Sequence, residues 1–187
     1  MSDISQYMEK KIAALIGMKD KPIGKARLAR LRRGTGKIPG EIPELWGEFL
    51  EDIPAWCLSK NSVPTKSEWA IYLSLTMFAF HQQGNATSVH RSGQSLGKAA
   101  SQLMEKDTDD ERERILRRFG PLVTAKDMTK FSYHLRCLIQ LLSSKGIGLD
   151  YVRLADDIYA FQFPERRKNV QLKWGQDFYY KKGEEEK

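Results

Sequence analysis

Apolar positions recur at helical spacing along most of the chain, and the alternating β-branched runs between tight turns that mark strands are missing. The clearest case is Met128, Phe131, Leu135, Leu138, Ile139 and Leu142, at offsets 0, 3, 7, 10, 11 and 14, opened by Thr124 and Asp127 and stopped by Gly146 and Gly148. Ile4, Met8, Ile12 and Leu15 predict a first amphipathic helix ending at Gly17. Lys25 to Arg33, rich in Ala, Leu and Arg with Gly34 beyond, predicts a second. Pro43 opens a short helix that places Leu45, Trp46, Phe49 and Leu50 on a core face before Pro54 ends it. Thr65-Lys66-Ser67-Glu68 has capping-box spacing and opens the longest apolar run, the twelve residues from Trp69 to Phe80. That run predicts a central core helix, because a membrane span needs about 20 apolar residues.

Further on the pattern stays helical. Gly84 to Gln94 is polar and reads as a long surface loop suited to binding. Ser95 to Glu105 predicts a helix with Leu96, Ala99, Ala100 and Leu103 inward and Lys98 outward. Asp107, Asp109 and Asp110 stand at the next helix start, where the macrodipole favours acids, and Gly120-Pro121 is expected to break or kink that helix. Asp150 caps a helix to Phe161, and Asn169 caps a last one holding Val170, Trp174 and Phe178 ahead of the charged tail Glu184 to Lys187. The expected fold is all-α, a compact two-lobed helical bundle of about eight or nine helices. The lobes are placed at residues 1–106, with a basic helix and loop, and 107–187.

Composition adds few constraints. A chain of 187 residues buries a core without staples, and Trp46, Trp56, Trp69 and Trp174 are bulky candidates for it. Cys57 and Cys137 stand far apart and outside any C-x-x-C pair, and the first eleven residues lack an apolar signal run, so a reducing, cytoplasmic setting is expected.

Charge changes the picture more. Lys19 to Lys37 carries eight cations and one acid, a surplus equal to the net +7 of the whole chain. Arg27, Arg30 and Arg33 lie three apart on one helical strip, and Lys37 sits in a Gly- and Pro-rich loop free to reach a ligand. Between Lys21 and Lys37 there is no acid. Arginines clustered without acids repel one another, which points to a ligand with spaced negative charge, such as phosphates. A second basic strip, Arg114, Arg117 and Arg118, faces away from Ile115 and Phe119. Lys126, Lys130 and His134 ride one flank of the clearest helix, with Arg136 nearby.

Other chemistry finds no support. Gly93 to Lys98 has one residue too few for a P-loop and no preceding strand. His81, His90 and His134 lack metal-ligand spacing, and no G-x-S-x-G elbow occurs. Asp109-Asp110 and Asp156-Asp157 could suggest nuclease carboxylates, but read better as a helix start and a solvated helix face. Neither a metal, a cofactor nor an enzyme is indicated.

Taken in order, LARLRRG at Leu28 to Gly34, the Pro-rich segment with Trp46, FAFHQQG at Phe78 to Gly84 and SLGKA at Ser95 to Ala99 resemble one family. RRF at Arg117 to Phe119, HLRCLIQLL at His134 to Leu142, GIGLDYVRLADD at Gly146 to Asp157 and QLKWGQDFYY at Gln171 to Tyr180 continue the likeness over nearly the whole chain. That family is CasB, the small subunit of the type I-E CRISPR Cascade effector complex. No single motif is specific; their order and spacing are.

The resemblance implies a two-lobed helical protein without enzymatic activity, packed as a head-to-tail pair beside the large subunit CasA and the CasC backbone that holds guide RNA. Its basic face would run along guide RNA and target DNA and stabilise the R-loop through backbone contacts, since base pairing supplies specificity. By residue, Arg32 and Arg33, Lys98, Arg117 and Arg118, and Arg136 match the family's basic positions. Lys98 replaces an arginine common in the family and loses its bidentate fork. Arg27, Arg30, Lys37 and His134 are candidates from the residues alone. The alternative expectation is a helical module whose basic strips dock acidic proteins without touching nucleic acid. No membrane partner is expected.

Overall fold

A computed structural model describes residues 2–106 and 108–179. The elements are α1 (Asp3–Met18), α2 (Pro22–Arg33), a 3₁₀ turn (Pro43–Leu45) running into α3 (Trp46–Phe49), a second 3₁₀ turn (Ala55–Cys57), and α4 (Lys66–Gln82). They continue with α5 (Leu96–Ser101), α6 (Asp109–Val123), α7 (Met128–Ser144), α8 (Tyr151–Phe161) and α9 (Pro164–Tyr179). No β-strand occurs among the described residues, and one isolated bridge joins His90 to Leu149. Asp107, Tyr180 and the Glu184 to Lys187 tail lie outside the described residues.

Helix α4 organises the packing. Its sequence is apolar all round, and Ile71, Leu73, Met77, Phe78 and Ala79 are all fully buried. The helix packs on α8, α2 and α7, while α5 crosses α9 and α1 lies on α8. The connection between α5 and α6 spans the expected lobe boundary, and one hydrophobic core runs from Ile4 to Phe178.

Local caps explain most element starts. Thr65 and Glu68 form the predicted capping box on α4, Thr65 Oγ1 accepting the Glu68 amide at 3.0 Å and Glu68 Oε2 accepting the Thr65 amide at 2.7 Å. Asp127 accepts the Lys130 amide at 2.8 Å to cap α7, and Asp150 accepts the Arg153 amide at 3.0 Å to cap α8.

Several expectations are corrected. Gly17 does not stop α1, and α2 begins at Pro22, which suits a first helical turn because its missing N–H is not needed there. The predicted end of α5 at Glu105 is replaced by tight turns, Leu103 N–H to Ala100 O at 3.1 Å and Met104 N–H to Ser101 O at 3.2 Å. Gly120-Pro121 does not break α6, which continues to Val123. Pro121 stands in the last turn, and the Thr124 amide and hydroxyl both return to Gly120 O. Asn169 lies inside α9, which starts at Pro164 instead.

Of the four tryptophans, Trp174 is fully buried, whereas Trp46 and Trp56 are 49% and 51% exposed. Each of the exposed indoles spends its N–H on a local acceptor, Gly40 O and Asp3 Oδ2 respectively, so an outward position leaves no polar group unpaired.

Candidate nucleic-acid interface

The basic stretch around α2 carries its own counter-charge. Glu48 of α3 is buried, and its carboxylate accepts Arg27 Nε–H at 2.7 Å and the Arg30 Nε–H and Nη2–H at 3.1 and 2.6 Å. Lys37 pairs with Glu41 at 2.9 Å, and hydrogen bonds from Lys37 and the Ile38 amide hold the Glu41 carboxyl below its usual range. The expectation that these cations lack partners is therefore corrected for Arg27, Arg30 and Lys37. The cause is chain reversal: α3 folds back across α2 and brings an acid from outside the basic segment.

Arg32 and Arg33 differ. Among the described residues neither makes an ion pair or a side-chain hydrogen bond, and Arg33 is exposed. Arg32 lines a cleft of about 480 Å³ with Asp20, Lys25, Leu28, Gln82 and Gly84, and the Asp20 carboxylate is paired with Lys19 at 2.8 Å. Lys25, Leu28 and Arg32 share one strip of α2, so that strip faces the C-terminal end of α4. From the other side, the Arg136 guanidinium of α7 lies over the Phe80 ring at 5.6 Å. The structure thus brings Arg32 and Arg136, 104 residues apart, to the same end of α4, and among the described residues Lys25 and Arg136 likewise have no carboxylate partner.

The loop from Gln83 to Gln94 leads from this cleft to a larger groove of about 820 Å³, lined by Arg91, Gly93, Lys98, Ser101, Gly146 and Gly148 among others. Main-chain bonds strap the loop down: Leu149 N–H to Val89 O at 2.9 Å, Arg91 N–H to Leu149 O at 3.0 Å and Asp150 N–H to Gln94 O at 2.8 Å. Gly148 is required there, since a Cβ would stand 2.3 Å from Arg91 Cγ and 2.8 Å from Val89 O. Lys98 is half-buried on α5, whose start is fixed by Ser95 Oγ accepting the Lys98 amide at 3.2 Å. Two of the family-like stretches, SLGKA and GIGLD, meet in this groove.

Arg117 and Arg118 are exposed on α6 and have no ion pair among the described residues, but they line neither recess. Arg112 and Arg114, by contrast, pair with Asp109 and Glu111 at 2.6 and 2.9 Å. His134 is half-buried with its ring 5.2 Å from that of Tyr133, and it lines neither recess. Sequence reasoning missed Lys25 and Arg91. The signal for Arg91 is its place in the polar loop from Gly84 to Gln94, and for Lys25 its seven-residue offset from Arg32.

The second acidic pair is not a solvated face. Asp156 accepts hydrogen bonds from the Ser2 and Ser5 hydroxyls, while Asp157 accepts Trp174 Nε1–H at 2.8 Å. Burial pushes the Asp157 carboxyl up to about 6, against the lowering effects of the Trp174 bond and Arg153. The two carboxylates are thus committed to different partners. Among the described residues no group of three or more His, Cys, Asp or Glu side chains could hold a metal ion, and no helix is long and apolar enough to cross a membrane.

A buried helix packed by α1, α2, α3, α7 and α8, with arginines that lack carboxylate partners at one of its ends, defines an all-α architecture among the described residues that has solved counterparts. CasB from Thermobifida fusca superposes with a TM-score of 0.80 at 29% identity, covering 96% of this chain and 99% of that one. CasB from M. ruber gives 0.64 at 26% identity over 90% and 92%. The chain belongs to the Cse2 family of CRISPR-associated proteins, the CasB family that its motifs resemble, whose profile matches residues 27–179. A curated relative, the CRISPR-associated protein Cse2 of Thermus thermophilus, is 27% identical over 154 residues, 82% of this chain and 79% of that protein.

Proposed function

We propose that the chain is the small, non-catalytic subunit of a type I-E CRISPR Cascade complex, where it holds sugar-phosphate backbone without reading sequence and stabilises the R-loop between guide RNA and target DNA. Membership of the Cse2 family supports the setting. The observation that carries the binding role is the convergence of Lys25, Arg32 and Arg136 on one end of α4 with no carboxylate partner among the described residues. Unpaired cations fixed by different helices repel one another in the free protein and gain when phosphates arrive. The strapped loop and the Arg91 and Lys98 groove extend the same basic surface beyond the cleft.

Such contacts position a nucleic acid and leave specificity to base pairing between guide and target. The partners that follow are a CasA-like large subunit, CasC-like backbone subunits, a second copy of this chain, guide RNA and target DNA. Co-expression with the other subunits tests the reading. Copurification of guide RNA with a complex containing this chain is expected, and R-loops formed by that complex should dissociate faster when Arg32→Gln and Arg33→Gln are combined. A chain that enters no complex, or R-loops indifferent to the double substitution, would count against it.

A further inference from the structure

At the opposite end of α4, about 24 Å from the Arg32 cleft by helical rise, stands a second cationic surface that none of the matched basic motifs includes. Three aromatic rings run in contact there: Trp56 against Tyr159 at 6.4 Å and Tyr159 against Phe163 at 5.1 Å. Two cations share the last ring, Lys66 Nζ at 5.0 Å and the Arg166 guanidinium at 4.9 Å from its centroid. Gln162 fixes the arrangement by donating to Lys66 O at 2.8 Å, tying the start of α4 to the end of α8. Beside it, a recess of about 240 Å³ is lined by Lys66, Trp69, Lys126 and Arg167.

The cations outnumber the available acids. Among the described residues Lys66, Lys126 and Arg166 make no ion pair, against one exposed acid beside them in sequence, Glu165. Asp127 in the recess is committed to Lys130 and to the start of α7, and Asp3 to the Trp56 indole. Meanwhile Trp56 is held at its edge by Asp3 and at one side by Tyr159, yet keeps 51% of its surface exposed. A large ring fixed in place loses little entropy when another flat ring stacks on it.

We infer that the Trp56, Tyr159 and Phe163 ladder with Lys66 and Arg166 is a binding site for single-stranded nucleic acid, an unpaired base stacking on Trp56 while phosphates meet the two cations on Phe163. Trp56 is the exposed ring, backed by half-buried Tyr159 and Phe163, and an exposed aromatic beside unpaired cations is a pattern that holds single strands: stacking tolerates any base, and cations track the backbone. The competing occupant is a polypeptide, for which Leu58 and Val63 offer apolar surface nearby in sequence; an apolar segment would leave Lys66, Lys126 and Arg166 without counter-charge, and an acidic one would supply charge but no flat ring for Trp56. The site stands apart from the Arg32 cleft and its fate is separable from that of the backbone-binding role.

The test uses the full chain and two labelled strands of equal length, oligothymidylate and an abasic deoxyribose phosphate, with affinity read by fluorescence anisotropy. The wild type is expected to prefer oligothymidylate about tenfold, the effect of stacking roughly one base. Trp56→Ala should bring that ratio close to one with abasic affinity unchanged. Lys66→Gln with Arg166→Gln should weaken both strands alike and lower the salt slope by roughly 0.7 for each cation, with circular dichroism confirming the helical fold. Arg32→Gln with Arg33→Gln should weaken both strands and leave the ratio intact, so the two surfaces fail separately. A wild-type ratio near one overturns the inference. So does a ratio that survives Trp56→Ala, including the case where that variant loses association with a protein subunit.

Discussion

Glu48 and Arg27 face each other at 2.7 Å across α2 and α3, and the same carboxylate holds Arg30 at 2.6 Å, from a position only 6% exposed. One buried acid thus engages two of the three arginines of a strip that looks unpaired along the chain. What remains outward is a smaller set, Arg32 and Arg33, joined by Arg136 from a distant helix. The functional surface is defined by which cations escape internal pairing, not by where cations are densest.

Replacing Glu48 with Gln should therefore destabilise the fold, since two guanidinium groups lose their shared counter-charge. The Arg30 side chain is 40% exposed and water compensates part of the loss, so about 2 kcal/mol is expected rather than the roughly 3–5 kcal/mol of a fully buried pair. Urea unfolding of the variant against wild type measures it.

Gly97 tests the α5 crossing that positions Lys98. A Cβ there would stand 2.2 Å from Trp174 O, a backbone atom that cannot step aside without moving α9. Gly97→Ala should cost about 3 kcal/mol and lower the thermal midpoint. Gly175→Ala, with open space around it, should be neutral or slightly stabilising because alanine favours a helix.

Two buried groups should shape stability in acid with opposite signs. Burial raises Asp157 from 3.8 to about 6, so the folded state binds the extra proton between those values, and this contribution is full below pH 3.8 and lost as pH rises through 6. Burial lowers His81 from 6.5 to about 4, so its contribution is full above pH 6.5 and lost as pH falls through 4. Asp157→Asn keeps an acceptor for the Trp174 indole and removes the first dependence. Relative to that variant the wild type should lose about 2 kcal/mol between about pH 4 and pH 7, measured by denaturant unfolding across pH.

Legibility in the sequence followed distance along the chain. Thr65 with Glu68, Asp127 with Lys130 and the Phe131 to Leu142 stripe depend on residues within a few turns, and all were readable. The family motifs were readable too, and the profile match over residues 27–179 agrees with them. Glu48 was not, because it lies 18 residues beyond Arg30 and its role appears only once α3 folds back. Trp46 and Trp56 were misplaced for a related reason: hydrophobicity proposes the core, but an indole with a local acceptor is stable at the surface. Pro121 misled because a proline in the last turn sacrifices one helical bond, which a general rule about proline overstates.

The most direct measurement of the central claim is the salt dependence of duplex DNA binding by the isolated chain, compared between wild type and the combined Arg32→Gln and Arg136→Gln variant. Log K should fall linearly with log salt in the wild type, by about 0.9 per phosphate neutralised, and the variant's slope should be shallower by about 1 to 2 with the helical circular dichroism unchanged. Equal slopes in the two proteins, or wild-type binding indifferent to salt, would contradict a phosphate-holding surface at the end of α4.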